Sequence, residues 1–361
     1  MAYYFQKLSQ LNYMQRDFCL QLDKSIIDMS KKADVPPPGW APLKPTKVLD
    51  TYWRFAAERQ RIFFARCHNT PPPWTNDPIL HQHKFTNAYR ASDRVSQFLI
   101  RNVIYAGDQS AIEVFFRIIL FKIFNRIDTW QLLEEHFGEI RYKDFKFKQY
   151  DKILSDAMNN GERIYSAAYI MPSGGRNSDF ARKHQMHLSL IQRMIESELP
   201  ERISECRNMR DAFEMLLQIP TFGEFLSYQY VTDLNYSNLF DFSEMSFVCA
   251  GPGAKDGIRK CFTDTAGLNE AEVIKLMADR QESEFERLGL TFYNLWGRRL
   301  QLIDCQNLFC EVDKYSRVAH PEFSGITGRT RIKQKFRPHQ RLDLPWYPPK
   351  WGINERITKE E

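Results

Sequence analysis

Three stretches of this chain carry residue types suited to chemistry on phosphates. Residues 247–258 run from apolar residues into Gly251-Pro252-Gly253 and then a helix start that carries Lys255. Two glycines permit a tight turn, and the N–H groups of the turn and of the helix N-terminus are left pointing outward, a ready anion site. Between Leu302 and Arg317, apolar residues 302, 303, 308, 309 and 312 leave Asp304, Asn307, Glu311 and Lys314 at i, i+3, i+7 and i+10. One helix face thus carries acid, amide, acid and base, which suits proton transfer beside an anion and equally suits a solvated face with local Glu311–Lys314 pairing. Asn87, Arg90, Arg94 and Gln97 repeat that spacing beside Val95, Phe98 and Leu99. Two arginines flanked by amides fit a pyrophosphate or a DNA backbone, and fit a solvent-facing stripe as well.

A fourth stretch carries charge. The chain's formal net charge is +5, and the six Lys/Arg between Ile326 and Arg341, with no acid among them, leave 5 − 6 = −1 for everything else. Arg329, Arg331, Lys333, Lys335 and Arg337 alternate, so an extended chain puts them on one face roughly 6.6 Å apart. That spacing is comparable to neighbouring phosphates along a nucleic-acid strand and neutralises backbone charge without reading sequence. The alternative is a solvated tail, although the Pro and Trp residues at 345–351 suggest a segment that packs down.

These residues need a frame, and the composition supplies one. The 361 residues hold 43% apolar and 26% charged residues, ordinary for a globular protein with a substantial core, which excludes disorder, collagen and coiled coil. Rings make 14% of the chain, enough both for core packing and for stacking on bases. The strongest apolar stretch, 111–124, is too short and too charged to span a bilayer, and the N-terminus lacks a signal-peptide core. The expected location is therefore the cytoplasm, with no membrane partner. Seven irregularly spaced cysteines predict free thiols, and neither they nor the pairs His81/His83 and His184/His187 form a metal or iron–sulfur pattern. No metal and no cofactor are expected.

Apolar periodicity predicts a mainly α fold. Helices are expected over 1–34, 48–67, 86–105, 110–124, 128–137, 145–159, 180–197, 208–217, 222–232, 253–262, 269–286 and 289–318, the last as two helices, with no strand pair. The Pro-rich run at 36–38 sets off an N-terminal helical arm and connector (1–45), and 71–73 is a stiff loop inside the helical domain that follows (46–325). The concentrated positive charge marks a basic, Pro/Trp-containing C-terminal segment (326–361).

The Gly251–Lys255 turn resembles the hairpin of helix-hairpin-helix DNA glycosylases, with Gly251 and Gly253 on its two glycines and Lys255 on the lysine that some bifunctional members use as nucleophile. Asp304 falls where that superfamily places its essential acid, with a longer spacing from the hairpin. Taken with Phe55–Arg66, residues 72–80 and 85–105, Gly251–Ala254 and Asp304–Arg317, the chain over roughly 45–345 resembles the α-glutamyl/putrescinyl-thymine pyrophosphorylase family of phage amino acid:DNA transferases, also described as the helical domain associated with 5-hydroxymethyluracil DNA kinase. The resemblance implies a helix-hairpin-helix glycosylase-like, two-lobed helical fold. It also implies displacement of pyrophosphate from 5-pyrophosphoryloxymethyl-uracil in double-stranded DNA by an amine donor, an amino acid or polyamine. Asp304 would then deprotonate the amine, Lys255, Arg90 and Arg94 would stabilise pyrophosphate, with Asn87, Gln97, Asn307, Glu311 and Lys314 around it, and Phe222, Tyr228 and Tyr230 would either wall the flipped base or pack as core. Gly251, Gly253 and Arg329–Arg337 would hold DNA. The sequence has no Walker A loop, so a hydroxymethyluracil DNA kinase is expected as partner. Two other readings stay open: a true glycosylase, with lyase activity through Lys255, and a non-catalytic DNA-binding module that partners the kinase.

Overall fold

The computed structural model describes residues 27, 29, 37–167, 171–172, 180–337 and 343–357. The elements begin with β1 (Lys44–Pro45), α1 (Val48–Cys67), α2 (Pro78–Gln82), a 3₁₀ turn at Arg90–Ser92, α3 (Arg94–Phe98) and a π-helical stretch at Leu99–Ile104. There follow α4 (Ala111–Phe124), α5 (Ile127–Phe137), α6 (Phe147–Asn159), α7 (Lys183–Glu196), α8 (Leu199–Ser204), α9 (Met209–Leu217) and α10 (Glu224–Leu234). Last come α11 (Pro252–Cys261), β2 (Phe262–Asp264), α12 (Glu270–Arg287) and α13 (Leu302–Ala319). The described chain divides into two compact units. One takes the described residues up to Arg90, Ala250–Pro345 and those from Glu355 onward; the other takes Ala91–Cys249 and Trp346–Asn354.

In the first unit α1 is buried on almost every side although it carries Glu58, Arg59 and Arg61. Such a helix is stable only if its charges are paired, and Arg61 grips Glu58 through two bonds of 2.8 and 2.9 Å. Tyr52 packs on Phe309 of α13, and Trp53 on Phe285 of α12. The α11–α13 contact is closer still. A Cβ on Gly257 would stand 2.1 Å from the Phe309 carbonyl oxygen, so only glycine fits there. One turn further on, Lys260 pairs with the Asp313 carboxylate at 2.9 Å, both side chains almost fully buried. Lys260 also donates to the Asp313 carbonyl, and Arg317 takes the second Asp313 oxygen. Thr46 bonds the main chain at Lys260 and Cys261, and β1 pairs antiparallel with β2, Lys44 opposite Asp264.

In the second unit the apolar α4 is the centre. Its Arg117 is 2% exposed and donates to the carbonyls of Val103, Ile104 and Asp108, where the π-helical stretch ends and leaves acceptors open. Lys122 meets Asp233 of α10 at 3.0 Å, both buried. Phe222 stacks on Tyr230 at 4.6 Å and Tyr228 lies against Phe247, all of them buried. Of the two readings open for Phe222, Tyr228 and Tyr230, pocket wall or core, the structure shows packing as core. His184 bonds Asp151, while His187 faces the Tyr165 hydroxyl and the Pro172 carbonyl. Burial holds the His187 imidazole down at about 4, so it is neutral at ordinary pH. The Pro/Trp segment does pack down: Tyr347 is fully buried and bonds Ser92, and Trp351 lies edge-on to Tyr236.

Most expected helices appear within a few residues of their predicted ends. The exceptions have physical causes. Residues 84–89 are irregular, and only short helical pieces follow to 104, because the N–H groups of Thr86 and Arg90 bond distant carboxylates rather than a preceding turn. Residues 289–301 are also irregular: Gly289, Trp296 and Gly297 take positive φ, which no helix accepts. Residues 235–250 ahead of Gly251 are irregular too, so the described turn opens a helix without closing one. The β1–β2 pair, α2 and α8 were not expected. The expected helix at 1–34, apart from residues 27 and 29, and Arg341 lie outside the described residues.

Gly257→Ala tests the close α11–α13 approach. Alanine gains up to about 1 kcal/mol of helix propensity, but overpacking costs about 1–3 kcal/mol and more where backbone is struck. The expected outcome is a lower urea midpoint with an unchanged m-value; a variant as stable as the parent means the helices are not in that contact.

Candidate functional site

The face predicted on α13 exists, and it is occupied. Asp304 is 4% exposed. Its Oδ2 accepts the Gln301 N–H at 3.0 Å, closing a capping box at the helix start, and its Oδ1 accepts the Arg90 N–H at 2.8 Å. One turn on, Asn307 donates to the Thr86 hydroxyl at 3.0 Å. The next turn brings Glu311, whose Oε2 accepts the Thr86 N–H at 2.9 Å and the Lys314 ammonium at 2.7 Å. Lys314 lies over the Phe85 ring. From the other side, Arg59 of α1 donates to the Thr86 carbonyl and to the Asn87 side-chain oxygen. Acid, amide, acid and base therefore hold an irregular segment, residues 85–90, whose main-chain groups would otherwise be left without partners.

The stripe Asn87, Arg90, Arg94, Gln97 does not survive as a helix face. Asn87 and Arg90 belong to the segment just described, in the first unit, and Arg94 and Gln97 to the second. Arg94 is exposed, whereas Gln97 is engaged at both ends, donating to the Ala91 carbonyl and accepting the Trp346 N–H, each at 2.8 Å.

Gly251 is the N-cap of α11 and Pro252 its first residue. Gly253 lies against Cys310, where a Cβ would come within 3.1 Å of the sulfur. Cys310 is six residues past Asp304, or about 9 Å along the helix, so the turn lies beside the middle of α13 and Asp304 at its start. Lys255 is half-buried, and among the described residues no hydrogen bond or ion pair engages its ammonium. Burial pushes the Cys310 thiol up to about 12, which keeps it protonated and inert. Among the described residues no three His, Cys, Asp or Glu side chains gather as metal ligands, and no helix is long and apolar enough to cross a membrane.

The basic strip has a defined place. Arg329, Arg331, Lys333, Lys335 and Arg337 are all exposed, as are Thr330 and Gln334 between them, while Ile332 and Phe336 are half-buried. It is pinned along its length. Thr327 donates to the buried Asp256 of α11 through both N–H and hydroxyl. Gly325 has to be glycine there, since a Cβ would lie 2.6 Å from the Asp256 carboxyl carbon. Arg317 donates to the Arg331 carbonyl, and Gln334 and Phe336 exchange main-chain bonds with Lys84 and Gln82. Phe336 packs edge-on to Trp74. Sequence reasoning missed Asp256, Arg59 and Trp74; the one available signal was Glu58-Arg59-Gln60-Arg61 within an otherwise apolar, aromatic helix.

A family model described as the helical domain of 5-hmdU DNA kinase matches residues 46–325. The chain belongs to that family. It is also similar to the 5-hmdU DNA kinase of Bacillus phage SP10, 26% identical over 286 residues that make up 74% of this chain and 45% of the phage protein. The chain thus spans under half the length of that relative. No solved structure matches it.

Asp304→Asn puts an amide N–H where Asp304 now accepts a main-chain N–H. The expected loss is about 1–3 kcal/mol of stability in urea, with earlier proteolytic cutting at 85–90; a variant that is as stable and as resistant as the parent means the carboxylate does not hold that segment.

Proposed function

We propose that this chain is a DNA-engaging helical module of thymine hypermodification that works with a 5-hmdU DNA kinase. The observation that carries this reading is the pinned strip: five exposed cations between Arg329 and Arg337, in a segment held by bonds to α11, α13 and residues 82–84. Ordering a cationic segment before it meets phosphate removes part of the entropic cost of binding. Family membership supports DNA that contains 5-hydroxymethyluracil as the substrate class. The 361 residues contain no Gly-Lys-Ser/Thr loop, so phosphoryl transfer is assigned to a kinase acting beside this module.

The finer reading, in which an amine donor displaces pyrophosphate from 5-pyrophosphoryloxymethyl-uracil, draws on Lys255. This half-buried ammonium, with no described partner, stands at the first turn of α11 where a leaving anion would be stabilised. In that reading Asp304 is the general base. Asp304 supports it less well, because both its oxygens already accept main-chain N–H bonds at 4% exposure. A glycosylase–lyase reading rests on the same Lys255 and on the hairpin-like turn alone.

Each phosphate-contacting cation adds about 0.9 to the log–log slope of affinity against salt on duplex DNA. Neutralising the five cations from Arg329 to Arg337 is expected to lower that slope by roughly 4–5 units, and by the same amount on 5-hydroxymethyluracil DNA and random DNA. An unchanged slope in a titration from low to moderate salt would remove the strip from the DNA interface.

A further inference from the structure

Beside the strip stands a tryptophan held more firmly than its position requires. Trp74 is half-buried and follows three exposed prolines, Pro71–Pro73. Its indole N–H donates to the Thr70 carbonyl at 2.7 Å, and its own carbonyl accepts from Arg61, which the buried Glu58 fixes in turn. The Arg66 guanidinium sits 5.0 Å from the ring centroid, and Phe336 of the strip meets the ring edge-on at 6.3 Å. Phe336 lies between Lys335 and Arg337 in the strip, so this ring borders the line of cations directly.

We propose that Trp74, with Arg66, is a stacking platform for an unpaired base, and that the strip and this platform together form a site for single-stranded DNA. The inference rests on the DNA-engaging reading above and adds to it the kind of DNA preferred. The cations fix the occupant's charge: a polyanion whose charges repeat along one extended line. The ring fixes the rest. A duplex keeps its base faces stacked on one another, so an aromatic ring beside the backbone gains nothing from it, whereas an unpaired base offers a free face. Arg66 extends the platform, because a guanidinium plane stacks on an aromatic ring and on a base alike. The indole is held in advance by the Thr70 carbonyl and the Trp74 main chain by Arg61, so little freedom is lost on stacking. In the context of base modification, the strand opened around an altered thymine is what such a site would hold.

The test measures binding of 20-nucleotide single strands and the matching duplex by fluorescence anisotropy at one salt concentration, using the full chain, Trp74→Leu, Trp74→Phe and the strip-neutralised variant. The parent is expected to prefer the single strand. Trp74→Leu, which keeps an apolar contact for Phe336, should lose roughly 5- to 150-fold on the single strand and less than about two-fold on the duplex. Trp74→Phe should retain most of the binding, and neutralising the strip should weaken both DNAs. Equal loss on both DNAs in Trp74→Leu would make Trp74 a mere prop for the strip and overturn the inference, as would no loss on either. If the parent binds neither DNA, the DNA-engaging reading itself fails, a result distinct from the other two.

Discussion

The fold of the first unit depends on how closely α11 and α13 approach. At Gly257 the backbones touch without a side chain between them, and a turn later the buried Lys260–Asp313 pair joins the same two helices. Burying two charges costs several kcal/mol each unless every polar atom is satisfied. Here Asp313 accepts Lys260 on one oxygen and Arg317 on the other, and Lys260 reaches a carbonyl as well. The glycine lets the helices meet, and the ion pair selects the register at which they do. Everything the site uses is laid on this frame: α1 packs on α13 through Tyr52, residues 85–90 lie on the polar face of α13, and the strip starts from Asp256 of α11.

A second regularity follows from it. Acids in this chain organise irregular backbone. Asp304 takes the N–H of Arg90, Glu311 that of Thr86, Asp256 that of Thr327, and Glu113 those of Tyr142 and Lys143. A carboxylate accepting main-chain N–H groups stabilises a loop that could not otherwise be buried. Acids used inward in this way do not neutralise the strip from Arg329 to Arg337. A chain whose net charge outside Ile326–Arg341 is −1 can thus still present one concentrated positive surface.

The sequence made the helices legible where apolar residues recur at helical spacing, as in α1, α4 and α12. It failed where long-range bonds replace helical ones. Residues 86–98 have a fair helical period, yet Thr86 and Arg90 find carboxylates on α13, more than two hundred positions away in the chain. The polar face Asp304–Lys314 was readable as a face because spacing alone defines it. What covers it was not readable, because that depends on tertiary contact. The charge of the strip was visible in composition, whereas its pinning depends on Asp256 and Gly325, and neither stands out among the acids and glycines of the chain. Trp74 looked like part of a stiff proline loop; only the structure sets it against Phe336.

The central claim is that a held, extended strip engages DNA, and Asp256→Ala tests it most directly. Asp256 is 1% exposed and anchors Thr327 at the start of the strip, and alanine suits the interior of α11. Removing an acid raises the net charge by one, so electrostatics alone makes DNA binding tighter. The account predicts the opposite sign: weaker binding, with a shallower salt dependence, because the cations are no longer held in line. Binding as tight as the parent's or tighter, in a variant that still folds, would contradict it.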